Sequence, residues 1–497
     1  MKAKFLTGIK AICFILLFAL TIYGLDAMLT PKHMYDEREP HTEGYRGFYN
    51  MQKDSIDVII LGTSHAASGF NPQDFYHKEK LRTYNLASSG QPVWMSYYWL
   101  KEALEYQSPK VVIFDVNYLF SDNEDETLNR KGLEDMRLGK VKWDAIHTAV
   151  ATDNIVKENV LSYLLPFFRY HSRWSSDLKE NDFKPVTVET PSALKGFWYY
   201  QLISYYEGYE PFDPNTDHKK SDFTESSMKY FEKIRKLCKD HGIQLVLAKT
   251  PTQAFSVEQH NTMQDYASLH KLPFYDFNDV SLYNACGYDF HMDMDDAGGS
   301  NAHANPSGAR KMSYYLASEI ISNGWCSAKE DTQWDKTEKY NDELYKGFEL
   351  HNADNLEKYL SMLKDKNYTI MIAAKDDAAS GLTDQIRTKL HELGLSFDWK
   401  DAYRKGYLAV IDKGNVVFEQ SSDQMITYEG TFRNHLERLQ MSSAGFDAGN
   451  TSSIMINGTE QSLNRRGLNV VVYDNFRKCV IDTVNFDTFV PEMTCSR

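Results

Sequence analysis

Residues 57–72 read DVIILGTSHAASGFNP, and the fold turns on how this stretch is read. An unbroken apolar run, Val58 to Leu61, stops at Gly62-Thr63-Ser64-His65. A short apolar run that ends at turn-forming residues predicts a buried strand. That strand carries a glycine, two hydroxyls and an imidazole to the place where the chain turns. A serine hydroxyl is a weak nucleophile near neutral pH unless a base adjoins it and donors receive the charge formed on attack. The parts to seek elsewhere in the chain are therefore a base, an acid to orient it and a set of donors.

Outward from this stretch, strand and helix patterns alternate. WMSYYWLKEALEYQ has helical spacing, KVVIFDVN is the next strand, and ESSMKYFEKIRKLCKDHG is an amphipathic helix stopped by Gly242. IQLVLAKT and LPFYDFND follow as strands, and SGARKMSYYLASEII as a closing helix. This alternation predicts an α/β unit over 31–325: a parallel sheet covered by helices on both faces. Residues 121–222 break the pattern and are rich in aromatics; they read either as a cap inserted over the sheet's carboxyl edge or as a helical extension that only packs. Residues 326–349 are polar and charged and are expected to be a linker. A second, smaller β-rich α+β unit follows over 350–497, with a hairpin around Lys413-Gly414.

The 497 residues are too many for one ordinary domain. The formal charge of -14 argues against a nucleic-acid partner, since no net basic field draws phosphate in. Residues 1–30 stand apart. Lys2, Lys4 and Lys10 precede fifteen uncharged residues from Ala11 to Leu25; counted back to Phe5 the stretch is 21 residues interrupted only by Lys10, about the length a bilayer requires once Lys10 snorkels. The segment is either an uncleaved membrane anchor, favoured because the small residues of a cleavage site are poorly arranged, or a cleaved signal peptide. In both cases the bulk of the chain is expected outside the cytoplasm, on the cell membrane in the anchored case. Six cysteines show no metal spacing; Cys479 and Cys495 are either a disulfide or free thiols.

Ligands of open α/β sheets sit beyond the carboxyl ends of the strands, where Ser64 falls. Gly90, in YNLASSGQ, offers an N–H with no side chain in the way, and Asn117, in FDVN, offers an amide at the same edge. His303, shortly before the last helix of the α/β unit, is the candidate base, and Asp293, Asp295 and Asp296 in HMDMDDAGGSNAH are candidates to orient it. The same HMDMDD run also reads as a metal site, but no further ligand cluster accompanies it.

Gly62-Thr63-Ser64-His65, the stretch from Asn85 to Gly90, Asn117, and His303 before ANPSGA resemble, in order and placement, the SGNH/GDSL hydrolase superfamily. The closest resemblance is to its membrane-anchored extracytoplasmic branch, related to teichoic-acid D-alanylation and polysaccharide O-acetyltransferase proteins. The resemblance implies a flavodoxin-like sheet of SGNH type, with Ser64 as nucleophile and His303 as general base. It places the oxyanion hole at the Ser64 and Gly90 amides and Asn117. It implies no cofactor. Its substrate would be a cell-envelope glycan or acylated polysaccharide, with a membrane-bound acyl donor protein as a further partner. Two positions depart from the family. Ser300 stands where the acid is expected, three before the histidine, which leaves Asp296 as the first choice of acid, with Asp293 and Asp295 as alternatives or a Ser-His dyad. The third block is DVN rather than Gly-x-Asn-Asp.

KDDAASGLTDQIRTKLHELG and RGLNVVVYDNFRKCVIDTVNFDTF resemble the two halves of the interleukin-like EMT inducer (ILEI/PANDER) domain. Their order here is reversed, as in a circular permutation, so the C-terminal strands are expected to complete a sheet begun near residue 350. The resemblance implies a carbohydrate-binding module, against a structural or docking role. The whole reads as an extracytoplasmic serine esterase or O-acyltransferase. The rival is a non-catalytic glycan-binding or envelope-assembly protein on the same scaffold.

Overall fold

The computed structural model describes residues 2–31, 41–122, 126–152, 158–175, 178, 180–183, 192–204, 209–295 and 303–497. The chain forms two units, Met1–Asn341 and Asp342–Arg497.

The first unit is built on five parallel strands: β1 (Val58–Leu61), β2 (Thr83–Asn85), β3 (Val111–Asp115), β4 (Gln244–Lys249) and β5 (Phe274–Asp276). Their order is β2-β1-β3-β4-β5, the doubly wound arrangement of flavodoxin-like folds. Strand side chains alternate in direction, and both directions are filled. Ile59, Leu61, Val112 and Phe114 join one core with Trp99, Phe231 and Ile234 from helices Val93–Leu104 and Glu225–Asp240. Val58, Ile60, Ile113 and Val246 join the other with Phe75, Met312 and Leu316 from helices Pro72–Glu79 and Pro306–Ser322. This two-sided burial is why β1 is apolar at every position. At its start Asp57 takes a bidentate, buried pair from Arg82, with Nε–Oδ2 at 2.6 Å and Nη2–Oδ1 at 2.8 Å, which fixes β1 against β2.

The loop after β1 enters the helix Ser64–Gly69, every residue of which is buried. A two-residue antiparallel ladder, β6 (Met294–Asp295) with β7 (His303–Ala304), precedes the last long helix of the sheet. Asn305 caps that helix by accepting from the Gly308 amide, and Pro306 fills its first turn, a start signal that places His303 at the rim.

Among its described residues, the aromatic-rich insertion both packs and reaches the rim. Its helix Lys140–Thr152 packs Val141, Ala145, Ile146 and Ala149 into the first core. Its end returns to the rim, where the Trp198 amide donates to the Ala67 carbonyl at 2.9 Å. Residues 326–349, expected as a linker, contain most of the helix Thr332–His351. Helix Lys2–Leu29 includes the apolar stretch Phe5–Leu29, 25 residues long, of which residues 5–21 are all exposed. All six cysteines are free, so Cys479 and Cys495 form no disulfide.

The second unit is a ten-stranded sheet with strands β8 (Tyr368–Asp376), β9 (Gly406–Asp412), β10 (Asn415–Ser422), β11 (Ile426–Phe432), β12 (Glu437–Gly445), β13 (Thr451–Ile456), β14 (Thr459–Glu460), β15 (Gly467–Asp474), β16 (Cys479–Asp487) and β17 (Thr494–Ser496). Lys413 and Gly414, both at positive φ (53° and 79°), make the tight turn between β9 and β10, as the sequence indicates. Central β8 pairs antiparallel with β15, from Lys375↔Gly467 to Tyr368↔Asp474, so the C-terminal strands do complete a sheet begun early in this unit. Ile370 and Ile372 of β8 pack against helices Leu356–Met362 and Asp384–Glu392, and Met371 and Ala373 pack on the opposite face.

Candidate active site

Ser64 and His303, 239 positions apart, meet at the carboxyl edge of the parallel sheet. Ser64 Oγ lies 2.8 Å from His303 Nε2, hydrogen-bonding distance for a nucleophile and its base. Ser64 opens its helix, so its amide has no acceptor within that helix. Two aromatic rings lie nearly parallel to the His303 imidazole: His65 at 4.5 Å and 11°, and Tyr200 at 5.0 Å and 29°.

The loop that presents Ser64 is held by Asp115, the last residue of β3. Asp115 Oδ2 accepts from the Thr63 hydroxyl at 2.6 Å and the Thr63 amide at 3.2 Å, while Oδ1 accepts from the Asn117 amide at 3.1 Å. One buried carboxylate thus sets the nucleophile's loop against the turn that carries Asn117. Asn117 itself begins a short 3₁₀ turn and is half-buried. Gly90 lies in a buried loop pinned from both ends: the Ser88 amide donates to the Gly62 carbonyl at 3.2 Å, and Gln91 accepts from Tyr45 Oη at 2.5 Å and donates to Ser96 Oγ at 2.8 Å. Asn85, two residues after the start of β2, is spent on structure, donating to the Ala66 and Phe70 carbonyls and accepting from the Ala87 amide.

The three candidate acids part company. Asp293 is buried and taken up by Lys311, at 2.6 Å, and by the Asp289 amide at 2.7 Å. A lysine ammonium and a backbone amide thus both hold Oδ2 of this carboxylate. Asp295 pairs directly with His303 across the β6–β7 ladder, and its carboxylate accepts from the Leu202 amide at 3.1 Å. Asp296, with Ser300, lies outside the described residues. The contributions of His65, Tyr200, Thr63 and Asp115 were not read from sequence. An aspartate at the end of a strand beside Asn117 was the available signal for the last of these.

Lys249, at the end of β4, is fully buried beside this cluster. Its ammonium donates to the Thr250 carbonyl at 2.9 Å. Burial outweighs the attraction of Asp115 and Asp276 and pulls its pKa down from 10.5 to about 8. Between those two values the unfolded chain holds the proton that the folded chain has released, so this group's contribution to stability rises with pH across that window. The stability of the parent relative to Lys249→Met is therefore expected to grow by about 2 kcal/mol from about pH 7 to about pH 9.5. Urea unfolding at the two pH values measures it; a constant difference contradicts the buried ammonium.

Over residues 336–415 the chain matches the family model described as Interleukin-like EMT inducer. The match covers the first of the two segments that carry that resemblance; residues 466–489 lie beyond it. Among solved structures, the chain is similar to a GDSL-like lipase from Bacteroides thetaiotaomicron, with 10% identity and a TM-score of 0.27 over 58% of this chain and 100% of that one. It is also similar to a protein described as an acylhydrolase from Bacteroides fragilis, with 12% identity and a TM-score of 0.25 over 59% of this chain and 100% of that one. No curated protein matches the chain at a significant level.

Proposed function

We propose that this chain is a membrane-anchored, extracytoplasmic serine esterase or O-acyltransferase acting on acyl or acetyl esters of a cell-envelope glycan. The observation that carries the reading is the 2.8 Å approach of Ser64 Oγ to His303 Nε2 at the strand ends. With its proton on Nδ1, His303 accepts the serine proton at Nε2 as Oγ attacks the acyl carbon. The negative charge then forms on the carbonyl oxygen, where the Ser64 and Gly90 amides and the Asn117 side chain would receive it. Collapse expels the alcohol, which takes the proton back from His303 and leaves an acyl-serine. Water attacking that ester gives hydrolysis; a sugar hydroxyl gives transfer, with an acyl donor held at the membrane.

Asp295 is assigned the orienting role. Direct partners across an antiparallel ladder project to the same face with Cβ atoms about 5 Å apart, and Asp295 is the partner of His303. The N-terminal apolar helix supports anchoring, with Lys2, Lys4 and Lys10 on the cytoplasmic side. The ILEI resemblance supports carbohydrate binding by the C-terminal unit.

Turnover of a chromogenic acetyl ester tests the chemistry. Ser64→Ala is expected to lose at least about 10³-fold in kcat/KM, and equal turnover by both proteins contradicts the reading. In the same preparation, removal of residues 342–497 is expected to abolish retention on an immobilised acetylated glycan while ester turnover persists.

A further inference from the structure

A cavity of about 230 Å³ is lined in part by chain neighbours of two residues assigned to the oxyanion hole. Tyr118 lines it and directly follows Asn117; Pro92 lines it two residues beyond Gly90. Since consecutive Cα atoms are about 3.8 Å apart, the Cα atoms of Tyr118 and Pro92 lie within about 8 Å of those of Asn117 and Gly90 respectively. Its volume falls below the roughly 300 Å³ at which sites for drug-sized ligands begin, so it admits one ring-sized group and not a polymer.

Its lining is of two kinds. Trp94, Tyr118 and Tyr230 contribute three aromatic rings, from the start of helix Val93–Leu104, from the turn after β3 and from helix Glu225–Asp240. Opposed to them in chemistry is an acidic centre. Asp122 Oδ1 accepts from the hydroxyls of Thr224 at 2.9 Å, Ser226, and Ser227 at 3.1 Å. Three donors fix this exposed carboxylate while its second oxygen keeps its acceptor capacity.

We infer that this cavity is a subsite for the pyranose ring that bears the ester, and that it selects neutral or amino sugars over acidic ones. Aromatic faces pack against the apolar C–H face of a pyranose, and a fixed carboxylate accepts from its hydroxyls or from a cationic amine. An acyl chain in the same place would cover Asp122 without returning a hydrogen bond. A uronic acid or a phosphate would set like charge against like. The inference rests on the Ser64 reading, because it is adjacency to the oxyanion donors that makes the cavity a place for substrate.

The experiment compares kcat/KM of the full chain on mono-O-acetyl methyl hexopyranosides (neutral and N-acetylated), on their uronic acid counterpart, on p-nitrophenyl acetate and on p-nitrophenyl octanoate. The parent is expected to prefer the acetylated neutral or N-acetylated glycosides to the uronic ester by at least tenfold. Asp122→Ala and Tyr230→Ala are each expected to lower the ratio of glycoside to p-nitrophenyl acetate by at least tenfold, through KM. Tyr230→Phe, which keeps the ring, is expected to retain the ratio. If p-nitrophenyl acetate is turned over but neither alanine variant changes the ratio, the subsite is overturned and the Ser64 chemistry stands. A parent that prefers the octanoate holds an acyl chain there, which overturns the sugar assignment. A parent that turns over no ester overturns the underlying reading as well.

Discussion

His303→Ala is expected to lower kcat/KM on an acetyl ester by about 10⁴-fold. The imidazole is the group in contact with Ser64 Oγ, at 2.8 Å, and it must accept a proton in one half of the reaction and return it in the other. Without it, the hydroxyl attacks as a neutral alcohol and the leaving alkoxide departs unprotonated. In the proposed mechanism the oxyanion donors would remain, so catalysis is expected to fall to a residual level and not to that of water. A second imidazole stands close by. His65 stacks on the ring of His303 at 4.5 Å, but it contributes a face rather than a contact with the attacking oxygen. His65→Ala is therefore expected to cost about tenfold, through loss of the wall that aligns His303. Steady-state kinetics on the two variants, with circular dichroism to verify folding, separate the base from its neighbour. Equal losses would contradict the assignment.

Gly62→Ala is expected to destabilise the first unit by about 4 kcal/mol. Gly62 has φ of +150°, a conformation that L side chains rarely adopt, and such strain costs about 1–3 kcal/mol. A Cβ there would also meet Asp115 Cβ at 2.3 Å, Asp115 Oδ2 at 3.1 Å and Ala66 Cβ at 3.2 Å. Overpacking of that kind adds about 1–3 kcal/mol. Relief requires Asp115 to move, and Asp115 holds both the Thr63 loop and the Asn117 turn. Activity is therefore expected to fall with stability. Urea unfolding gives the stability change, and a loss below about 1 kcal/mol contradicts the close approach.

Much of this site was legible in the chain. Four branched apolar residues before a Gly-Thr-Ser-His turn gave a strand buried on both faces and put Ser64 at its carboxyl end. The Asn-Pro start of the last helix located His303, because a capping asparagine and a first-turn proline fix where the helix begins. What escaped the reading lies in contacts between distant segments. No local pattern tells that Tyr200, from an irregular aromatic stretch, stacks on His303, or that Asp115 bonds back to Thr63. The 326–349 stretch read as a linker for a different reason. The buried positions of helix Thr332–His351 include Trp334, Thr337, Asn341, Leu344, Tyr345 and Phe348. Their spacing is helical, but the stripe is interrupted by a threonine and an asparagine that hydrogen-bond in the interior. Thr337 Oγ1 donates to Gln73 Oε1 at 3.0 Å, and Asn341 Nδ2 donates to Asp74 Oδ1 at 3.0 Å. Polar residues satisfied inside a core look like solvent-facing ones until their partners are known. Among the candidate acids, backbone pairing brings Asp295 alongside the histidine, while Asp296 lies outside the described residues.

The most direct test is the site of covalent capture. The full chain is treated with a fluorophosphonate, digested and mapped by mass spectrometry, alongside Ser64→Ala and His303→Ala. The expected result is a single adduct on the peptide containing Ser64, absent from Ser64→Ala and strongly slowed in His303→Ala. An adduct on another serine, or labelling at the same rate in all three proteins, would contradict a nucleophile at residue 64 activated by the imidazole of residue 303.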